Sequence, residues 1–420
     1  MNLTFQNIKS FLKDDRTQSI AFCFFAFTFG LGTFINSIGL IVFLLSTVFR
    51  ILLSEERALH NYKALLFSIP FLLYLICYPY AYDIEDATTF IIKSLPILII
   101  PLILAKTHLS TKLVDKVKDY FIKGMALSIV IAIIGSSISF VNNGYEISYL
   151  NYYDLAQTLS FHPTYYSMYL ITACVFTTER QRFSSDKRAP LFLFFFLIGI
   201  VLLQTRAAYL IIFALFIIRL FQVNNLKYKL TFLFIFFFML LLVFFIPGNS
   251  ERFKEAIRVN NSQLIGDNTE NGITQRIWLW NIALSHVKEQ PFFGHGLRSQ
   301  RSYFKKRVHK DMLKSNISNS QTAAYIGNAS KNLHNQYLQI LYDCGAFGLL
   351  IFLLGIYFLF KNSILVPSNS FVILFIFYLV FLLSENILDR QHGIYFYSFI
   401  FPILFLNQGP FKDKNGKSNY

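Results

Sequence analysis

The chain has 420 residues, of which 55% are hydrophobic and 18% aromatic, with 49 Phe, and its mean hydropathy is +0.48. That excludes a water-soluble domain, whose core does not need so much apolar surface. The formal charge of +15 would suit a nucleic-acid partner in a soluble protein. In a membrane protein it reflects Lys and Arg held in cytoplasmic loops, so no nucleic-acid partner is expected.

Lys9, Lys13, Asp14, Asp15 and Arg16 precede the first apolar stretch without the short apolar core and small-residue cleavage pattern of a signal peptide. A cytoplasmic tail and an uncleaved first span are expected. Two spans fit between Ser19 and Leu53, divided near Asn36 and Ser37, because that stretch is about twice what one helix needs. Further spans are predicted near Ala64 to Tyr80, Thr88 to Ala105, Tyr120 to Val141, Phe161 to Thr178, Pro190 to Thr205 and Ala207 to Phe221. Leu230 to Ile246, Gln336 to Phe360, Phe371 to Leu388 and Ile394 to Leu406 complete an all-α polytopic membrane protein of about 12 transmembrane helices. The organisation is an N-terminal membrane region over 1–246, a large loop over 247–334, and a C-terminal membrane region with a tail over 335–420. The four cysteines, Cys23, Cys77, Cys174 and Cys344, lie in or beside apolar runs with no close pairing. They read as packing residues rather than a disulfide or metal site.

Charge tests the threading independently. Loops assigned to the inside carry Lys106, Lys112, Lys116 and Lys118, then Arg180, Arg182, Lys187 and Arg188, then Lys227 and Lys229. Loops assigned to the outside carry Asp83, Glu85 and Asp86, then Glu146 and Asp154, then Glu385 and Asp389 with Arg390. The positive-inside rule places both termini in the cytoplasm. The large loop falls outside yet holds 13 Lys or Arg against 6 Asp or Glu. Long loops translocate regardless of charge, and a cationic outer loop asks for an anionic partner such as a diphosphate or lipid head groups.

Within the loop, Ile273, Ile277, Trp280, Leu284 and Val287 recur at helical spacing and predict an amphipathic helix. After a Pro291-Phe292-Phe293-Gly294-His295-Gly296 turn, Leu297, Phe304, Val308 and Met312 recur among Arg298, Arg301, Lys305, Lys306, Arg307 and Lys310. This predicts a basic helix on the membrane surface. Ser315 to Asn332, rich in Ser, Asn and Ala, reads as a mobile segment.

Three residues stand where chemistry needs them. Arg206 ends a span in Leu203-Gln204-Thr205-Arg206, at the outer face, where it either snorkels to head groups or binds an anion. Arg276 lies near the start of the amphipathic loop helix, and two guanidiniums at one face can grip a lipid diphosphate bidentately. His334 stands where the loop re-enters the membrane, and the start of a helix disfavours a protonated imidazole, which suits a base. No metal-ligand motif, nucleotide-phosphate loop or dinucleotide fingerprint appears, so no cofactor and no metal are expected.

The ordered set T-R at a span end, Q-R-I-W-L-W-N-I-A, P-F-F-G-H-G-L, H-N-Q-Y-L-Q-I-L-Y-D-C-G-A-F-G and S-E-N-I-L-D-R-Q-H-G resembles the O-antigen ligase and polymerase superfamily. The resemblance implies a glycosyltransferase of the bacterial inner membrane with a periplasmic site. It implies a glycan donor linked to undecaprenyl diphosphate and, as acceptor, lipid A-core in a ligase or another lipid-linked repeat in a polymerase. It places diphosphate-gripping arginines at Arg206 and Arg276 and the catalytic histidine at His334. The basic residues Arg298, Arg301, Lys305, Lys306 and Arg307 are the expected acceptor contacts, because an acceptor bearing phosphates suits a cationic surface. A protein glycan ligase is a further alternative, and a lipid-glycan transporter a minor one. Transport would call for repeated halves and charges near the midplane, whereas Lys93 and Arg206 fall toward the outer ends of their spans.

Overall fold

The computed structural model describes residues 14–53, 61–184, 188–222, 272–304, 306, 332–363 and 370–407, and the single positions 229, 230, 233, 237 and 241. Every regular element among them is helical: α1 Asp15–Thr28, α2 Gly32–Leu53, α3 Tyr62–Tyr80, α4 Ile84–Ala105, α5 Thr111–Asn142, α6 Tyr152–Gln157 and α7 Pro163–Ser184. The chain continues through α8 Ala189–Leu202, α9 Arg206–Gln222, α10 Gly272–Val287, α11 Gln336–Ser363, α12 Ser370–Ser384 and α13 Gln391–Leu406. Helices α2, α3, α4, α5 and α11 are long and apolar enough to cross a membrane, and α8, α12 and α13 are apolar but shorter. The span expected over Leu230 to Ile246 lies almost wholly outside the described residues, as does the segment expected to be mobile after Ser315.

Local chemistry sets the helix ends. The Asp83 side chain caps α4 by accepting from the Asp86 N–H, with Glu85 and Asp86 in the first turn, where the helix dipole favours acids. Ser110 caps α5 through the Leu113 N–H. The first two helices part at Phe29 to Leu31, not at Asn36 and Ser37, which lie inside α2 with Asn36 buried. The reason is a close helix crossing. A Cβ on Gly30 would sit 2.6 Å from the Gly124 carbonyl oxygen of α5, so small residues here let two backbones meet.

Helix α13 is buried almost all round, as a helix apolar on every face must be. Phe399 on it meets Phe25 at 4.6 Å and Phe43 at 5.2 Å between ring centroids. Polar ties then distinguish the two ends of the bundle. At one end Lys118 of α5 pairs with Glu179 of α7 at 2.9 Å, and Ser370 of α12 donates to the same carboxylate. At the other end, the Tyr165 hydroxyl of α7 donates to the Asn386 carbonyl at 3.0 Å and the Tyr169 hydroxyl to that of His392 at 2.8 Å.

Helix α11 is broken at Gly345, whose φ of 66° and ψ of −169° leave the helical region. The Pro291 to Leu297 turn fills the break. The Ala346 and Phe347 amides donate to the Pro291 and Phe292 carbonyls, while the His295 and Gly296 amides donate to those of Tyr342 and Asp343. A Cβ at Gly345 would lie 2.2 Å from the Phe292 oxygen, so only glycine allows the turn to dock. Beside it, Cys77 and Cys344 form a disulfide with Cα atoms 5.6 Å apart. This corrects the reading of all four cysteines as packing residues, since partners 267 residues apart leave no spacing signature. Cys23 and Cys174 are free and buried, as expected.

Candidate active site

The link between α12 and α13, Glu385 to Arg390, crosses the same end of the bundle as the start of α11. Asn335 caps α11, its side-chain oxygen accepting from the Leu338 N–H at 3.1 Å. The preceding residue, His334, has a left-handed backbone with φ of 49°, and its N–H donates to the Asn332 side chain at 3.0 Å. This turns its ring toward the link, where Nδ1 lies 3.2 Å from Glu385 Oε2.

Asn386 locks that register. Its side-chain oxygen accepts from the Asn335 N–H at 2.7 Å, its side-chain NH2 donates to Gln339 at 2.8 Å, and its carbonyl accepts from Tyr165. Gln336 receives the Leu388 N–H at 3.0 Å. The start of α11 and the link therefore move as one unit, which is what a precise site requires.

Helix α10 brings in the arginine. The Trp280 indole donates to the Leu333 carbonyl at 2.7 Å. Arg276 lies one turn earlier on the same helix face, and its guanidinium comes 4.0 Å from the same Glu385 oxygen. Glu385 is 1% exposed and Arg276 about a third. Burial alone would raise the Glu385 carboxyl, but His334, which also hydrogen-bonds it, His162 and Arg276 together outweigh this and hold it at about 2. A permanent buried anion thus faces the histidine and the arginine.

Arg206 begins α9. Its neighbour Thr205 donates to the Ser167 hydroxyl of α7 at 2.9 Å, two residues beyond Tyr165, so Arg206 stands at the same end as the link. A cation at a helix N-terminus is disfavoured by the dipole, which suits a side chain that serves an anion. Six described non-glycine residues have a left-handed backbone, Tyr145, Tyr152, Ser160, Gln204, Arg298 and His334, and all six lie in links or at a helix start at this end. Such backbone strain concentrates at functional sites.

The basic segment divides. Arg298 is buried, with Asp86 at 3.0 Å and Asp389 at 3.4 Å, and Arg301 reaches Asp86 at 2.6 Å. The Lys306 ammonium lies over the Tyr82 ring and donates to its hydroxyl. Lys305 and Arg307 lie outside the described residues. The expected row of outward charges therefore begins with an arginine turned inward, because Asp86 of α4 and Asp389 of the link are there to receive it.

Residues 191–353 match the O-antigen ligase family. The resemblance read from the motifs therefore stands, and the O-antigen ligase segment includes Arg206, Arg276, the basic segment and His334. Glu385 and Asn386 lie beyond it. No curated protein matches the chain. Within S-E-N-I-L-D-R-Q-H-G, sequence alone marks Glu385 only as a loop acid. The available signal was a carboxylate in a short link between two apolar helices, where an unpaired acid is costly.

Proposed function

We propose that the protein is a metal-independent O-antigen ligase-type glycosyltransferase acting on the periplasmic face of the bacterial inner membrane. It moves a glycan from undecaprenyl diphosphate to lipid A-core. The observation that carries this reading is the meeting of His334 and Arg276 on one buried carboxylate, Glu385, at the end of the bundle where Arg206 begins α9.

In this mechanism Nδ1–H of His334 donates to Glu385, which leaves Nε2 free to accept a proton. The acceptor hydroxyl oxygen attacks the anomeric carbon while its proton passes to Nε2. The bond from that carbon to the diphosphate breaks, and its electron pair stays on the diphosphate oxygen. Arg206 and Arg276 stabilise that charge. The leaving group is already a stable anion, so the step needs neither a metal nor a general acid, and a single displacement inverts the anomeric centre.

The test incubates purified protein with an undecaprenyl-diphosphate glycan and either lipid A-core or a second glycan lipid. The ligase reading expects product with lipid A-core. Product only with the second glycan lipid would make the protein a repeat-unit polymerase, and translocation of the lipid without transfer would make it a transporter.

A further inference from the structure

The segment between α5 and α7 carries an aromatic wall that neither the family motifs nor the charge pattern singled out. Tyr153 is 44% exposed. Its ring is braced edge-on by Tyr152, with centroids 4.4 Å apart and planes at 82°. Its hydroxyl is fixed by His162 Nε2 at 2.9 Å. His162 Nδ1 accepts from the Thr164 N–H at 3.4 Å, so Nε2 bears the hydrogen and donates to Tyr153.

An exposed tyrosine at a membrane face is ordinarily part of an aromatic belt among head groups. This pair is tied instead to the link that carries Glu385. His162 stacks edge-on to Tyr165 at 6.1 Å, and Tyr165 donates to Asn386. Ionisable groups within electrostatic reach of His162 include Glu385, Arg390, His334 and Arg276.

The wall also has a side. It stands with the Glu385 link, through the contacts of His162 with Tyr165 and of Tyr165 with Asn386, whereas Arg298, Arg301 and Lys306 pack against Asp86 of α4 and Tyr82. We propose that Tyr153, held by Tyr152 and His162, receives the C–H face of the donor's first sugar, the one attached to the diphosphate. This rests on the transferase reading above.

The chemistry fits. A hexose presents an apolar C–H face and a rim of hydroxyls, and a tyrosine offers a flat apolar face with a polar tip. A ring already fixed at both its edge and its hydroxyl loses little freedom on binding. Arginines on the diphosphate alone leave the sugar free to turn about its glycosidic bond. A ring on one face of the sugar limits that rotation and holds the anomeric carbon toward His334.

The test measures binding, without turnover, of two probes to the purified full chain: undecaprenyl diphosphate with no sugar, and the same lipid bearing one N-acetylglucosamine. In the parent the sugar should tighten binding. In Tyr153→Ala most of that gain should vanish, about tenfold, the upper range of one aromatic contact. Affinity for the sugar-free lipid should not move, and Tyr153→Phe should keep most of the gain. A parent that binds both lipids equally, or a folded Tyr153→Ala that keeps the full gain, overturns the proposal. A parent that binds neither lipid overturns the donor reading itself.

Discussion

Glu385 Oε2 lies 3.2 Å from His334 Nδ1 and 4.0 Å from the Arg276 guanidinium. One buried carboxylate thus orients the imidazole and draws the Arg276 guanidinium beside it. Both side chains reach one carboxylate oxygen from two different elements, the start of α11 and the helix α10.

The arginine pair is the first consequence to test. Arg206→Lys and Arg276→Lys each keep the charge but lose the planar fork that meets phosphate oxygens in pairs. Both should weaken binding of sugar-free undecaprenyl diphosphate, by about tenfold or more, since charge-assisted hydrogen bonds contribute roughly 1.5–3 kcal/mol each. A lysine variant binding this lipid as tightly as the parent would remove that arginine from the diphosphate site.

Arg298 has a different task from the Lys305 to Arg307 part of its segment. Removing Arg298 takes its cation from Asp389 and leaves Asp86 with Arg301 alone. Arg298→Gln should therefore cost roughly 3 kcal/mol of stability, the low end for a broken buried pair because Asp86 is a quarter exposed. Neutralising Lys305, Lys306 and Arg307 together should barely change stability and should raise KM for a phosphorylated acceptor. Thermal unfolding together with acceptor kinetics separates the two roles. Equal destabilisation by both changes would contradict the division.

Disulfide formation is testable on the purified chain. Cys77 and Cys344 should resist alkylation until reductant is added, while Cys23 and Cys174 stay buried in both states. Replacing the pair by serine should lower stability by about 2–4 kcal/mol, as for other cross-links closing long loops. Free thiols at Cys77 and Cys344 under non-reducing conditions would contradict the bridge.

Much of this was legible in the sequence, and the physical reason is period and spacing. Apolar runs announced the helices of the bundle, and the acids from Asp83 to Asp86 marked the start of α4. Three kinds of information were not legible. Gly30 and Gly124 moved the first helix break because close backbone approach depends on two helices that sequence alone does not pair. The Cys77 to Cys344 bridge and the Arg298 to Asp86 contact join residues more than 200 positions apart. Glu385 was visible only as an acid in a link, since its value comes from His334 and Arg276, which reach it from other elements.

pH separates two ionisable groups of the site, the half-buried His162 and the buried Glu385. Burial lowers His162 to about 4 from 6.5, against the pull of Glu385. The unfolded chain takes up that proton first, so stability falls as pH drops from 6.5 toward 4. Glu385, held at about 2 against an ordinary 4.5, contributes stability that is complete above 4.5 and lost only as pH falls toward 2. Between pH 7 and pH 4.5 the thermal midpoint should therefore drop, and His162→Gln should flatten part of that drop. An unchanged slope in the variant would show that another group is responsible.

In the proposed mechanism His334, oriented by Glu385, takes the proton of the accepting hydroxyl. The most direct test of this step is the initial rate of glycan transfer by purified His334→Ala beside the parent, with donor affinity measured on the same samples. Losing a general base costs about 10²–10⁴-fold in rate. The variant should therefore fall by that much with donor affinity nearly unchanged, and Glu385→Gln should fall part of the way. A folded His334→Ala protein that transfers glycan at the parental rate would contradict the account.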